Sequence, residues 1–310
     1  MIDRADTLID LHCHSTASDG TDAPAQLVRN GALAGLTAMA ITDHDTTGGW
    51  AEAAATVATL GTPFALIRGT EFSCLYRRAG EAAISLHVLG YLYDPQSPGL
   101  RSERARLRQS RLGRGEAIVA KLVEAGFPIS WDRVRALADG GSVGRPHIGR
   151  ALHEAGVVGS VDEAFSQLLS DDSPFYVQKD DSEVKAIIAL IRQAGGVPVI
   201  AHPWARRRGP IIDERALVEL LQAGLAGIEV DHPDHAAQDR LQLRDIAERH
   251  GALITGSSDY HGTNKSVLLG AEATDPHSLQ RIVDLATGVP PLYSAPARHS
   301  GALGDGLPGE

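Results

Sequence analysis

Cysteine is scarce in this chain: 310 residues carry two, Cys13 and Cys74. Two thiols cannot build a disulfide framework, and such scarcity fits a reducing cytoplasm. No stretch approaches the roughly 20 apolar residues that a membrane span needs. Residues 1–6 lack a basic start leading into an apolar core, so no secretion signal is expected. Positive charge is short as well. A formal charge of -10 argues against broad attraction to nucleic acid or anionic lipid. It leaves room for a phosphorylated substrate held locally by metals or arginines. Nothing in the sequence calls for an obligate protein partner.

What remains is an ordinary globular mixture, 43% hydrophobic and 22% charged. Its length suits two domains or one large barrel with an insertion. Seven short β-prone runs, at 7–13, 37–42, 64–69, 84–91, 197–201, 227–230 and 252–256, alternate with helical patterns. That rhythm predicts an α/β fold of parallel β/α units, close in number to a barrel. One block breaks it. Residues 100–179 carry helical patterns without a convincing strand, beginning with a long helix that holds six arginines by Arg114. The expected organisation is a discontinuous barrel at 1–99 and 180–291 around a helical insertion at 100–179. The arginine-rich helix reads as a solvated face rather than a nucleic-acid track, because Glu103 and Glu116 are interspersed. A tail at 292–310, rich in Gly, Pro and Ser, is expected to be disordered.

Histidine is the unusual quantity, with 13 residues, several beside Asp or Glu in apolar contexts. The first run ends Asp10-Leu11-His12-Cys13-His14, where alternation in a strand turns His12 and His14 one way and Cys13 the other. Asp19 follows in a turn-like segment. The second run ends in Asp43-His44-Asp45. The third ends in Gly69-Thr70-Glu71, a carboxylate that needs a cation or a hydrogen-bonding cage if it is buried. His87 lies within an apolar run, His202 closes another just before Pro203, and Asp259 and His261 follow the last. In barrels the C-terminal ends of the strands carry the active site. Nine such N and O ligands exceed the roughly four to six of a single ion, so two or three ions are implied. The donor set suits Mn²⁺, Zn²⁺ or Fe²⁺.

Together, the Asp-Leu-His-Cys-His, Thr-Asp-His-Asp, Gly-Thr-Glu, Ala-His-Pro and Ser-Asp-Tyr-His motifs between residues 10 and 261 resemble the PHP (polymerase and histidinol phosphatase) family. The resemblance implies a distorted (β/α)7 TIM-like barrel with a trinuclear metal centre at its C-terminal face. Carried over, one ion takes His12, His14, Glu71 and Asp259. A second shares Glu71 and adds His87 and His202, and a third takes Asp19, His44 and His261. Mn²⁺ is the first expectation, with Fe²⁺ or Zn²⁺ as alternatives. In some members the position matching Asp19 is a histidine.

The helical insertion and the Gly144-Arg145-Pro146-His147 segment resemble the nucleotide-directed branch of the family. The implied activity is hydrolysis of a phosphomonoester, in a 3′,5′-nucleoside bisphosphate or a nucleoside monophosphate, by metal-bound hydroxide and without a covalent phosphoenzyme. Alternatives are a 5′-to-3′ exonuclease on short RNA, a histidinol-phosphate phosphatase, and a metal-binding regulatory module without activity. Glu71, Asp259 and His202 are the ligand positions expected to carry catalysis. His235 is a candidate to orient the substrate or protonate the leaving oxygen. Arg145, His147, Lys179 and Arg206 are the expected substrate contacts. Arg206 is preferred within its arginine triplet because it is nearest His202.

Overall fold

A computed structural model describes residues 7–178 and 180–294. The elements run β1 (Ile9–Cys13), α1 (Pro24–Leu33), β2 (Ala38–Ile41), α2 (Trp50–Val57), β3 (Ala65–Tyr76) and β4 (Ile84–Tyr91). Four helices follow: α3 (Pro98–Glu124), α4 (Trp131–Ala138), α5 (Arg145–Glu154) and α6 (Val161–Ala164), the last continued by a π-turn at Phe165–Leu169. The chain returns through β5 (Ser182–Glu183), α7 (Val184–Gln193), β6 (Val197–Ala201) and α8 (Glu214–Gln222). It finishes with β7 (Gly227–Asp231), α9 (Ala237–Arg249), β8 (Leu253–Gly256), α10 (Pro276–Leu285) and β9 (Leu292–Tyr293).

Seven strands form a barrel-shaped sheet in the order β1-β2-β3-β4-β6-β7-β8. It draws closed through a bridge between Cys13 and Tyr260, where the His14 amide donates to the Tyr260 carbonyl at 2.9 Å. This is the expected distorted (β/α)7 barrel, and each of the seven predicted runs is one of its strands. β1, β2 and β6 are buried along their whole length, as strands covered on both faces must be.

The distortion has one main source. β4 pairs antiparallel with both β3 and β6, so it runs against the other barrel strands. The opening residues of β4 therefore lie at the same rim as the closing residues of its neighbours. His87 pairs with Ser73 on one side and Ala201 on the other, which brings a mid-run histidine to the site end of the barrel. Beneath that rim, Ile9, Leu11, Ala40, Ile67, Leu89 and Val199 belong to one buried cluster. Tyr91 reaches from β4 to the non-adjacent β1, donating its hydroxyl to the Leu11 carbonyl at 2.9 Å.

The insertion has its own core, including Ile118, Leu122, Val134, Ile148, Leu152 and Leu169. α3 joins this core to the barrel: Leu100 and Leu107 pack into the main cluster, while Ile118 and Leu122 pack into the insertion. Ser130 and Ser160 cap α4 and α6, accepting from the amides of Arg133 and Glu163. Two expectations are corrected here. Part of the arginine face of α3 is not solvated: Arg104 is 7% exposed and donates to the Tyr93 hydroxyl and the Pro95 carbonyl. The predicted tail also begins too early, since Leu292–Tyr293 pair with β3 and the Ser294 amide donates to Phe64. Residues 295–310 lie outside the described residues.

Candidate metal centre

The site is built where apolar strands run out. A bulge in the β1–β2 pairing falls between Asp10 and Cys13, a device that re-aims side chains at barrel rims. Within it and just past it, His12 Nε2 and His14 Nε2 each lie 3.1 Å from Glu71 Oε2. They also stand 3.5 and 3.4 Å from Asp259 Oδ1. On the other side of Glu71, His87 Nδ1 and His202 Nε2 approach Oε1 at 2.7 and 3.0 Å. His44 bridges outward, with Nδ1 at 3.2 Å from Glu71 Oε2 and Nε2 at 3.6 Å from Asp19 Oδ2. His261 Nε2 and His14 Nδ1 are each 3.5 Å from Asp19 Oδ1. All nine expected ligand positions thus meet in one continuous cluster.

The donor atoms fit a cation better than they fit one another. His12 Nε2, His14 Nε2, His44 Nδ1 and Asp259 Oδ1 are buried and make no hydrogen bond. Such atoms are costly to bury unless something else satisfies them. Three groups have ligand atoms mutually within 4.8 Å: His12, His14, Glu71 and Asp259; His14, Asp19, His44 and His261; and His44, Glu71 and His87. Imidazole and carboxylate donors, with both thiols elsewhere, suit a divalent ion of borderline hardness.

Known proteins can now be set beside this geometry. The profile of the PHP domain matches residues 10–128. A 3′,5′-nucleoside bisphosphate phosphatase of Chromobacterium violaceum is 34% identical over 254 residues, spanning 82% of this chain and 87% of that protein. This chain belongs to the PHP family. The same fold is seen in a solved structure from Bifidobacterium adolescentis, named provisionally as a metal-dependent phosphoesterase. It is 36% identical with a TM-score of 0.85, covering 90% of this chain and 96% of that one. The 5′-3′ exoribonuclease Rnm of Salmonella typhimurium is 28% identical, spanning 89% of this chain and 92% of its own. The PHP family is one of metal-dependent phosphoesterases, and the His/Asp/Glu cluster could hold such ions.

Around the PHP cluster, a second layer of carboxylates fixes the loops. Asp43 accepts from the Ser15 amide and hydroxyl and from the Ser18 hydroxyl, pinning the segment that carries His14 and Asp19. Gly20 is required in that turn, because a Cβ there would sit 2.3 Å from the His14 carbonyl oxygen. Asp10 gathers the Ser258 amide and hydroxyl and the Gly270 amide, holding the Asp259 loop to β1. Asp45 accepts from Ser73 and, at 2.5 Å, from Arg111 Nε of the insertion. Asp45, His202 and Asp259 have positive φ although none is glycine. Strain of this kind persists where surrounding bonds over-determine the backbone, as they do here.

Electrostatics separate the histidines. Burial pushes His202 down to about 3, helped by Arg208 and opposed by Glu71. Burial also lowers His44 well below its ordinary value, with Arg111 adding to the effect. For His14 burial is outweighed: the facing carboxylates of Asp259 and Glu71, with Asp19 beside them, raise it to about 9. His12 is raised as well, its burial overcome by Glu71, Glu229 and Asp259. Glu71 and Asp259 stay ionised despite burial, because His44, His87 and His12 surround the first and Lys265 and Arg208 flank the second.

The expected contacts differ in where they lie. His235 is turned into backbone, its Nδ1 at 2.8 Å from the Val230 carbonyl and its Nε2 accepting from the Trp204 amide. His232 occupies the site wall instead: Nδ1 accepts from the Asp234 amide, and Nε2 lies 3.4 Å from Asp259 Oδ2. Arg206 is 59% exposed and forks onto Asp239, away from the cluster. Arg208, two residues from the preferred Arg206, donates at 2.6 Å to Asp259 Oδ2 and at 2.7 Å to Asp234. Arg145 is spent inside the insertion on Asp171 and the Leu169 carbonyl, and His147 Nδ1 accepts from the Gly144 amide at the start of α5. Lys179 lies outside the described residues. Gly144 nevertheless borders the site, since a Cβ there would come within 3.6 Å of Asp19 Oδ2 and Arg111 Nη1. Sequence reasoning missed Arg111, Lys265, His232 and Glu229. Glu229 carried a local signal, a carboxylate inside the apolar run Gly227–Asp231, and His232 follows that run and precedes a proline, as His202 does after its own.

Proposed function

We propose that this phosphoesterase hydrolyses a phosphomonoester of a nucleotide, a 3′,5′-nucleoside bisphosphate first and a nucleoside monophosphate next, using two or three divalent ions. Mn²⁺ is the first choice, before Fe²⁺ or Zn²⁺. One observation carries the reading: buried nitrogens of His12, His14 and His44 face Glu71 and Asp259 without hydrogen-bond partners. The relative from Chromobacterium violaceum supports the nucleotide as substrate. Divalent ions held there supply Lewis acidity, lowering the pKa of water and drawing charge from phosphoryl oxygens.

The remaining work falls to this chain's own groups. Arg208 and Lys265 present cations at the Asp259 wall, where a phosphate would meet a guanidinium fork already held by Asp234. Arg111, anchored by Asp45 and Ser73, offers a second guanidinium from the insertion side. His232 takes over the role expected of His235. Its Nδ1 accepts from backbone, so Nε2 holds the proton and presents it at the wall of the site.

Among the described residues no helix is long and apolar enough to cross a membrane. A phosphate-release screen over nucleoside mono- and bisphosphates, with Mn²⁺, Fe²⁺ and Zn²⁺ supplied separately, tests the proposal. Metal-dependent release of one phosphate from a bisphosphate supports it, and silence across the panel overturns it. The likeness to Rnm favours one other reading, stepwise hydrolysis of short RNA from its 5′ end. Product analysis on a 5′-phosphorylated oligonucleotide beside the bisphosphate separates the two.

A further inference from the structure

β7 is the one strand of the barrel that supplies none of the nine ligand positions, yet it carries a fully buried carboxylate that accepts three hydrogen bonds. Ile228 and Val230 face the outer apolar cluster, so alternation turns Glu229 toward the barrel interior. Glu229 is 0% exposed and touches three different strand ends. Its Oε1 accepts from His12 Nδ1 at 3.0 Å and from the Ser257 hydroxyl, and its Oε2 accepts from the His202 amide at 2.7 Å. We infer that Glu229 is a positioning residue, which keeps the proton of His12 on Nδ1, aims His12 Nε2 at Glu71 and Asp259, and holds His202 in its left-handed backbone conformation.

The chemistry follows from what a carboxylate can do. Ionised, it only accepts, so all three partners must donate, and the proton of a neutral His12 has to sit on Nδ1. The lone pair is then on Nε2, the atom that faces Glu71 Oε2 at 3.1 Å. The same residue fixes His202, whose φ of 30° is one that few non-glycine residues adopt unaided. A carboxylate behind a ligating imidazole orients the ring and raises its basicity, and such partners are commonly worth about 10- to 100-fold in metal affinity. Glu229→Gln keeps the shape but turns one accepting position into a donor, so it opposes either the His202 amide or the donors from His12 and Ser257.

The inference rests on the metal-centre reading and is tested apart from turnover. Mn²⁺ titration, read by the electron paramagnetic resonance of the free ion, should show the tightest site of E229Q weakened about 10- to 100-fold. In Zn²⁺-loaded protein the His12 Nδ1 proton should resonate far downfield, and it should move upfield in E229Q. Mn²⁺ affinity within twofold of wild type, with an unmoved proton signal, overturns the inference while leaving the metal reading intact. Failure of the wild type to take up Mn²⁺ overturns both. Should E229Q not fold, Ser257→Ala leaves Oε1 to His12 alone and should move the same proton further downfield; an unmoved signal there also overturns the inference.

Discussion

The barrel rim and the helical insertion spend their polar groups in opposite ways. At the rim, buried carboxylates such as Asp10, Asp43 and Glu229 each gather donors from distant segments, and the atoms left over are lone pairs facing a common centre. In the insertion, polar groups serve local needs: Ser130 and Ser160 cap helices, and Arg145 closes onto Asp171 and Leu169. A few insertion groups cross over: Arg111 bonds to Asp45 and Ser73, Arg108 reaches the Thr46 hydroxyl, and the Ser142 amide donates to the Ala17 carbonyl. The contrast assigns chemistry to the rim and leaves the insertion to cover it and present charge.

The hardest blow to that division would be a rim carboxylate without consequence. Glu71 stands against five imidazoles, so Glu71→Gln should strip metal and lower turnover roughly 1000-fold or more. Metal analysis of the purified variant checks this, and normal loading with normal turnover would remove the ligand assignment. Arg208 comes next. Its loss should raise KM about 10- to 100-fold with a smaller change in kcat, because a charge-assisted contact to phosphate goes while the cluster stays. Arg206→Ala, two residues away but pointed at Asp239, should leave both constants unchanged. Equal kinetic losses in the two variants would show that the 3-10 turn Arg206–Arg208 does not fix which arginine faces the substrate.

The rim was legible in sequence because its logic is local. An apolar run that ends in His or a carboxylate announces a strand end, and Glu71, His202 and Asp259 were found that way. Glu229 gives a different signal, since it lies inside its apolar run Gly227–Asp231, where a buried carboxylate needs donors rather than marking a strand end. Strand direction is not local. His87 sits inside its run, and nothing nearby says that β4 runs backward and so delivers it to the rim. Side-chain choice within a loop is no more legible: His232 and His235 are three apart, and the backbone claims one while the site claims the other.

A pH experiment sharpens the comparison more gently. In metal-free protein His14 is raised to about 9, above its unfolded value. Its protonation therefore stabilises the fold fully below the unfolded pKa, and that contribution fades as pH rises through about 9. The melting temperature of the metal-free chain should fall between pH 7 and pH 9.5 as those values are approached. Divalent ions should flatten the slope by taking the proton's place, and His14→Asn should flatten it without metal. A slope that neither change alters would mean that another group controls the alkaline limit.

The smallest effect tests whether the two regions are energetically separate. Ser130→Ala removes the hydroxyl that accepts from the Arg133 amide, a cap worth about 1 kcal/mol. The insertion core of Val134, Ile148 and Leu152 is distinct from the barrel clusters, and α3 is the helix that enters both. If the insertion opens as its own unit, the variant should speed amide exchange in α4 and α5 while β1 and β6 keep their protection and Mn²⁺ affinity is unchanged. If α3 instead welds the cores into one cooperative body, exchange should quicken by the same factor in both regions. The insertion would then stabilise the metal centre it covers.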